Sequence, residues 1–317
     1  MRTYLIRRLL LAIPTVFLVS FMVFLTIRLI PGSIVDLMLN QYQWVTNMDI
    51  NVIKHNLGMD VPIYVQYFRW MGNIILHGDF GKSLWYNMPV LQTLLSKLPV
   101  TFELGFISLI IAQLIALPIG IFSALRQDTW GDYLARSFAI LAIAVPSFWL
   151  ATLVIVFPSI WWGWSPPLRL VPFMENPIQN LGEFIVPSLV LGLSMAGGTM
   201  RMMRTMMLEI LRQDYVRTAW AKGLRERTVV MRHVLKNALI PVITTIGLGL
   251  PLLIGGAVII EDIFGLPGLG RLMVEATTMR DYTIVSGDMF LFAFGLVIIN
   301  LLVDLSYGFL DPRIQYK

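Results

Sequence analysis

The sequence contains no cysteine. Disulfides, thiolate metal sites and cysteine nucleophiles are therefore excluded, and the redox compartment stays open. Charge is also scarce: Asp, Glu, Lys and Arg make up 14% of the residues, against about 25% in soluble domains. Histidine is limited to His55, His77 and His233, and none stands in an H-E-x-x-H pair that would point to zinc. No G-x-x-x-x-G-K-[ST] phosphate loop occurs, so the chain itself is not expected to bind ATP in that way. No G-x-S-x-G nucleophile elbow occurs either. With no catalytic constellation left, the chain is expected to be neither an enzyme nor a holder of a cofactor or metal.

What is abundant is apolar: 57% of the residues are hydrophobic, arranged in runs long enough to cross a bilayer. The first run, 9–30, follows Arg2, Arg7 and Arg8 and is stopped by Pro31 and Gly32. It is too long for a signal-peptide core and has no small-residue cleavage site. Further spans are expected at 100–125, 137–160, 181–200, 239–260 and 283–309. Pro146 marks a kink in the third, and Arg126, Asp128, Asp132 and Arg136 form a short loop before it. Trp161, Trp162 and Trp164 mark the outer interface, where amphipathic rings collect. The stretch 33–98 is too polar to span. Within it, 64–76 alternates as an amphipathic helix suited to the membrane surface, ended by the run HGDFG at 77–81. A second outer loop is expected at 261–282. Five methionines within 200–207 indicate adaptable packing, since no other soft ligand accompanies them.

The positive charge is concentrated. Arg201, Arg204, Arg212, Arg217, Lys222, Arg225, Arg227, Arg232 and Lys236 face only Glu209, Asp214 and Glu226. Such a segment between spans belongs on the cytoplasmic side, which places both termini inside. The basic residues gather at span ends, so phospholipid headgroups explain them better than nucleic acid. Ala219 and Gly223 are four apart and share one helix face. A short helix with that smooth face suits docking into a groove, and Gly223 can end it in the left-handed conformation. Arg225 stands where a capping Ser or Thr is common, so the next helix is expected to start near Thr228.

The run RTAWAKG at 217–223, followed by RHVLKNALIP at 232–241, resembles the cytoplasmic EAA loop of ABC importer permeases, in the form found in the dipeptide/oligopeptide branch. By position, Arg217 falls where the general motif has Glu, Thr218 and Ala219 fall on its two Ala, Gly223 on its Gly and Leu235 on its late Leu; Lys236 falls where the motif has Pro. Leu57, Gly58, Asp60 and Pro62, the GDFGKS run at 78–83, Glu261, the PGLG run at 267–270, RDY at 280–282 and LDPRI at 310–314 are similar to the same family.

The resemblance implies an all-α membrane protein of the type I ABC importer permease fold, with six transmembrane helices and an extra outer segment between the first two. The expected division is residues 1–30 for the tail and first helix, 31–99 for the outer insertion, 100–309 for the core with its coupling loop at 209–241, and 310–317 for a cytoplasmic tail. It further implies that Arg217, Thr218, Ala219, Trp220, Ala221, Lys222, Gly223 and Leu235 couple to an ATPase. The implied partners are a second related permease, two ABC ATPase subunits that bind ATP and Mg, an extracytoplasmic substrate-binding protein and membrane lipid. Peptides are the leading cargo, with oligosaccharides and nickel complexes as alternatives. An ion-coupled secondary transporter would need charged or polar pairs near several mid-spans, and the mid-spans are almost uncharged.

Overall fold

A computed structural model describes residues 2–29, 61–83, 85–167 and 169–310, with side chains for 10–26, 61–83, 85–167 and 169–303. The expected outer stretch 33–60, with Leu57, Gly58 and Asp60, lies outside the described residues, as does the tail 311–317. The described chain is helical: α1 (Arg2–Leu29), α2 (Ile63–His77), α3 (Val90–Leu125), α4 (Trp130–Ala144), α5 (Ser147–Trp162), α6 (Pro177–Leu211), α7 (Asp214–Ala221), α8 (Glu226–Phe264), α9 (Leu269–Thr278) and α10 (Tyr282–Leu310). One isolated antiparallel bridge, Lys82 to Pro89, is the β pairing among the described residues.

Four helices, α3, α6, α8 and α10, are long and apolar enough to cross a membrane, and α4 with α5 brings the number to five if that bent pair is one span. The apolar part of α1, Leu10–Thr26, is shorter. The spans are longer than the hydrophobic runs that announced them, because each helix continues past its apolar window into polar turns. The expected kink at Pro146 is a full break, with the axes of α4 and α5 bent by 96°. Proline has no N–H to donate and forces the residue before it out of the helical region, and Val145 is accordingly extended at φ −80°, ψ 118°. The expected loop 126–136 is also corrected: Asp132 and Arg136 lie on α4, whose first turn begins at Trp130.

The described chain divides into two compact units, one made of Met1–Leu5, Val100–Pro267 and Ile299–Lys317, the other of Ile6–Pro99 and Gly268–Ile298. These boundaries differ from the sequence division at 31, 100 and 310, since the second unit joins α1 and α2 to α9 and most of α10.

In the first unit α3 and α6 run parallel in close register. A Cβ at Gly192 would stand 2.6 Å from the Ser108 carbonyl oxygen, and one at Gly120 would meet Met203 and the Met200 carbonyl. Against the N-terminal half of α6, Leu104, Phe184, Leu191, Leu253, Ile260 and Phe264 form one core. Against its C-terminal half, Met203 and Met207 pack with Val216, Val229, Val234 and Val242. The methionines thus fill a junction core, as an unbranched and polarizable side chain does well. Gly192→Ala is expected to force α3 away from α6 and cost about 1–3 kcal/mol, as overpacking does. Thermal unfolding of the purified chain checks this, with Gly198→Ala as the control, since its Cβ would meet open space.

In the second unit α2 is amphipathic, burying Tyr67 and Met71 and exposing Tyr64, Phe68 and Leu76. The Tyr67 hydroxyl lies 2.9 Å from Ser20 Oγ and donates to the Phe17 carbonyl at 3.0 Å. Phe24 packs against both Tyr67 and Trp70, while Tyr64 and Phe68 remain exposed. Gly78 ends α2 in the left-handed conformation, within the run HGDFG at 77–81 expected to stop it. The turn after it is pinned by Ser83, which donates to Asp281 at 2.6 Å. Asp281 also accepts from the Ile284 N–H and so caps the first turn of α10. The expected outer loop 261–282 is largely helical: α8 runs to Phe264, and α9 occupies Leu269–Thr278.

Candidate functional site

The basic segment after α6 folds into a short helix, a tight turn and a long helix. Helix α7 starts at Asp214, whose carboxylate suits the positive helix N-terminus. Asp214 also meets Arg217 at 3.3 Å, but both side chains are well exposed, and such a pair contributes little. The helix ends in a Schellman motif: the Gly223 N–H donates to the Trp220 carbonyl at 2.9 Å and the Leu224 N–H to the Ala219 carbonyl at 3.4 Å. Gly223 sits at φ +77°, a conformation that costs an L-residue roughly 1–2 kcal/mol. The left-handed stop expected from the sequence is therefore present.

The start of α8 lies earlier than expected, at Glu226, with Arg225 extended in the capping position and making no side-chain cap. Three residues later the helix widens into a π-helical turn over Val229–Val234 before resuming α geometry at Leu235. Such turns often occur at functional sites. The Tyr215 hydroxyl accepts from Asn237 Nδ2 at 3.0 Å, tying α7 back onto α8.

The inward and outward faces of this segment correct one sequence expectation. Ala219 is only 6% exposed and packs with Val216, Val229, Val230 and Val234 in the chain's own core. Leu235 is half-buried against the same core. Gly223 lies past the helix end with open space around it. Ala219 and Gly223 therefore do not form one smooth outward face, because the helix stops between them and Ala219 follows Val216 at i+3 into the interior. Arg217, Thr218, Trp220, Ala221, Lys222 and Gly223 are exposed. Sequence reasoning missed Tyr215, Leu224 and Met231, large apolar side chains that share this exposed surface with Arg225, Arg227 and Arg232. Phasing α7 on Val216 and Ala219 places Arg217, Thr218 and Ala221 outward and leaves Tyr215 and Trp220 on the two flanks of the buried face, where each is partly exposed. The segment thus exposes both apolar and cationic side chains over a packed valine and methionine core.

Residues 116–316 match the family model described as binding-protein-dependent transport system inner membrane component. Residues 1–105 match the model for the N-terminal part of such a membrane component. The chain belongs to this permease family. Its patch-bearing segment lies wholly inside the first match. Among relatives of the permease, a putative peptide transport system permease protein of Brucella abortus (strain 2308) is 39% identical over 316 residues and covers 100% of both chains. The glutathione transport system permease protein GsiC of Escherichia coli (strain K12) is 36% identical over 317 residues, again covering 100% of both. Among solved structures, an inward-facing form of the MetNI methionine ABC transporter matches with TM-score 0.54 and 18% identity, covering 70% of the permease and 97% of that chain. An amino acid ABC transporter with histidines matches with TM-score 0.53 and 14% identity, covering 69% and 94%. At those identities the two structures establish a shared fold.

A second constellation in the permease was not visible in the sequence. Asp132, fully buried, receives Arg204 Nε at 2.8 Å and Nη2 at 2.7 Å, joining α4 to α6. Ser123 of α3 donates to the same carboxylate at 2.5 Å, and the Asp128 N–H does so at 3.1 Å. Three helices thus meet on one carboxylate at the start of the basic segment.

Proposed function

We propose that this permease forms half of the translocation path of an ATP-driven importer for di- or oligopeptides. The observation that carries the reading is the exposed patch of Trp220, Leu224, Met231 and flanking cations on a turn fixed by Gly223. A mixed apolar and basic surface on a short rigid helix is suited to an acidic-rimmed groove on a partner. In this reading the patch docks an ABC ATPase, which binds ATP and Mg, while the permease itself is non-catalytic and holds no cofactor. Arg217, Thr218, Trp220, Ala221, Lys222 and Gly223 contribute to the contact, and Ala219 and Leu235 support it from behind. The complete assembly holds a second related permease, two ATPase subunits and an extracytoplasmic binding protein.

The same reading counts six transmembrane helices, with α1 and the joined α4 and α5 completing the set, both termini in the cytoplasm and an extra outer segment between α1 and α3. The solved permeases cover 94–97% of their own chains but only 69–70% of this one, which supports an addition to a smaller core. Relatives named for peptide and glutathione transport support a peptide cargo.

The test is reconstitution with ABC ATPase subunits, a second related permease and a substrate-binding protein. ATP hydrolysis should appear only in the assembled complex and rise with short peptides or glutathione. Stimulation by oligosaccharides or chelated nickel and not by peptides would replace the cargo. Hydrolysis by the isolated chain would overturn the non-catalytic role.

A further inference from the structure

A groove of about 190 Å³ opens between α3, α4 and α6 beside the Asp132 cluster. Its rim is cationic: Arg136, Arg201 and Arg204 line it. Asp132 engages Arg204 through two nitrogens, and Arg136 only at 3.8 Å. Among the described residues, no hydrogen bond or ion pair holds the exposed Arg201 side chain. Three guanidinium groups thus face the Asp132 carboxylate and, at longer range, that of Asp128, which acts on Arg204, so the rim keeps a net positive charge carried by Arg136 and Arg201.

Deeper in, the wall is apolar, formed by Ile119, Ile140, Ile143 and Met200. Arg136 and Ile143 are seven residues apart on α4, about 10 Å along the axis at 1.5 Å per residue. Ile140 is 63% exposed, on a helix flank that opens outward. The groove therefore changes from cationic to apolar along its length. Its level is marked independently: Trp130 and Tyr133 project from the first turn of α4 with ring centroids 6.3 Å apart. Exposed Trp and Tyr collect at the membrane–water boundary, and Arg136 sits one turn from them with its guanidinium 5.1 Å from the Tyr133 ring centre.

We propose that this groove is a binding site for one anionic glycerophospholipid. The phosphate sits between Arg136 and Arg201, and an acyl chain runs along Ile140 and Ile143. The rim charge selects against a zwitterionic headgroup, whose ammonium would face the net positive charge of Arg136 and Arg201. Basic pockets between spans recognise anionic headgroups in this way. A free inorganic phosphate would meet the rim and leave the apolar wall unused.

The test uses the full chain in detergent, with retained lipid counted by native mass spectrometry after exchange into phosphatidylglycerol or phosphatidylethanolamine. One phosphatidylglycerol should be retained in preference to phosphatidylethanolamine. Arg136→Gln with Arg201→Gln should weaken its retention by about 25-fold, roughly fivefold per interfacial arginine. Ile140→Trp, which blocks the acyl path at an outward position, should also expel the lipid while leaving the arginines in place. Both variants spare the Asp132–Arg204 pair, so their thermal midpoints should match the parent. Equal retention of the two lipids, or parental phosphatidylglycerol retention in both variants, overturns the site. Competition by millimolar sodium phosphate together with indifference to Ile140→Trp identifies a free-anion site and overturns the lipid assignment.

Discussion

Asp132→Ala should destabilise the permease by about 3–5 kcal/mol, the cost of breaking a buried pair from one side. The carboxylate is fully buried and satisfies Arg204, Ser123 and the Asp128 N–H together. Removing it strands the Arg204 guanidinium between α4 and α6. Arg204 retains 20% side-chain exposure, so water relieves part of the penalty and places the effect toward the lower end of that range. The decisive control is the pair Asp132→Ala with Arg204→Met. An apolar replacement of both partners is often neutral or stabilising, so the double variant should recover most of the loss. Unfolding of the detergent-purified chain gives all three numbers and their coupling. A single variant within 1 kcal/mol of the parent would show that the carboxylate does not hold these helices together.

That pair also shows where sequence reading stops. Asp132 and Arg204 are 72 positions apart, and each alone looks like an ordinary charge near a span end. Only the antiparallel placement of α4 against α6 brings them together. The existence of the helices was legible because apolar runs of spanning length have few other solutions. Their ends were not, because the helices continue into polar turns that hydropathy does not mark, as α3 does from residue 100 back to Val90. At Pro146 the sequence announced a disturbance but not its size, since proline is compatible with both a kink and a break. The Gly223 stop was readable because a left-handed position strongly favours glycine. The orientation of Ala219 was not: alanine suits both a buried contact and an open face, and the phase is set by Val216 three residues earlier.

The phase of α7 determines the second large effect. Ala219→Arg should damage the permease itself rather than only its docking. At 6% exposure, Ala219 lies among Val216, Val229, Val230 and Val234. Adding a long side chain there costs about 1–3 kcal/mol in overpacking, and burying its unpaired charge costs several kcal/mol more. The variant should therefore fall below the stability threshold and be depleted from the membrane fraction. Leu224→Glu makes the opposite test. Leu224 is 40% exposed, just past the Schellman turn and beside Arg225. A surface change there should alter folding by less than about 0.5 kcal/mol. It places a negative charge in the apolar part of the patch, so the chain should reach the membrane at parental level while ATPase subunits no longer copurify with it. The two variants thus separate core from contact by abundance and by pull-down. Normal abundance of Ala219→Arg with loss of ATPase binding would put Ala219 at the interface after all. Full ATPase recovery with Leu224→Glu would remove this patch from the coupling surface.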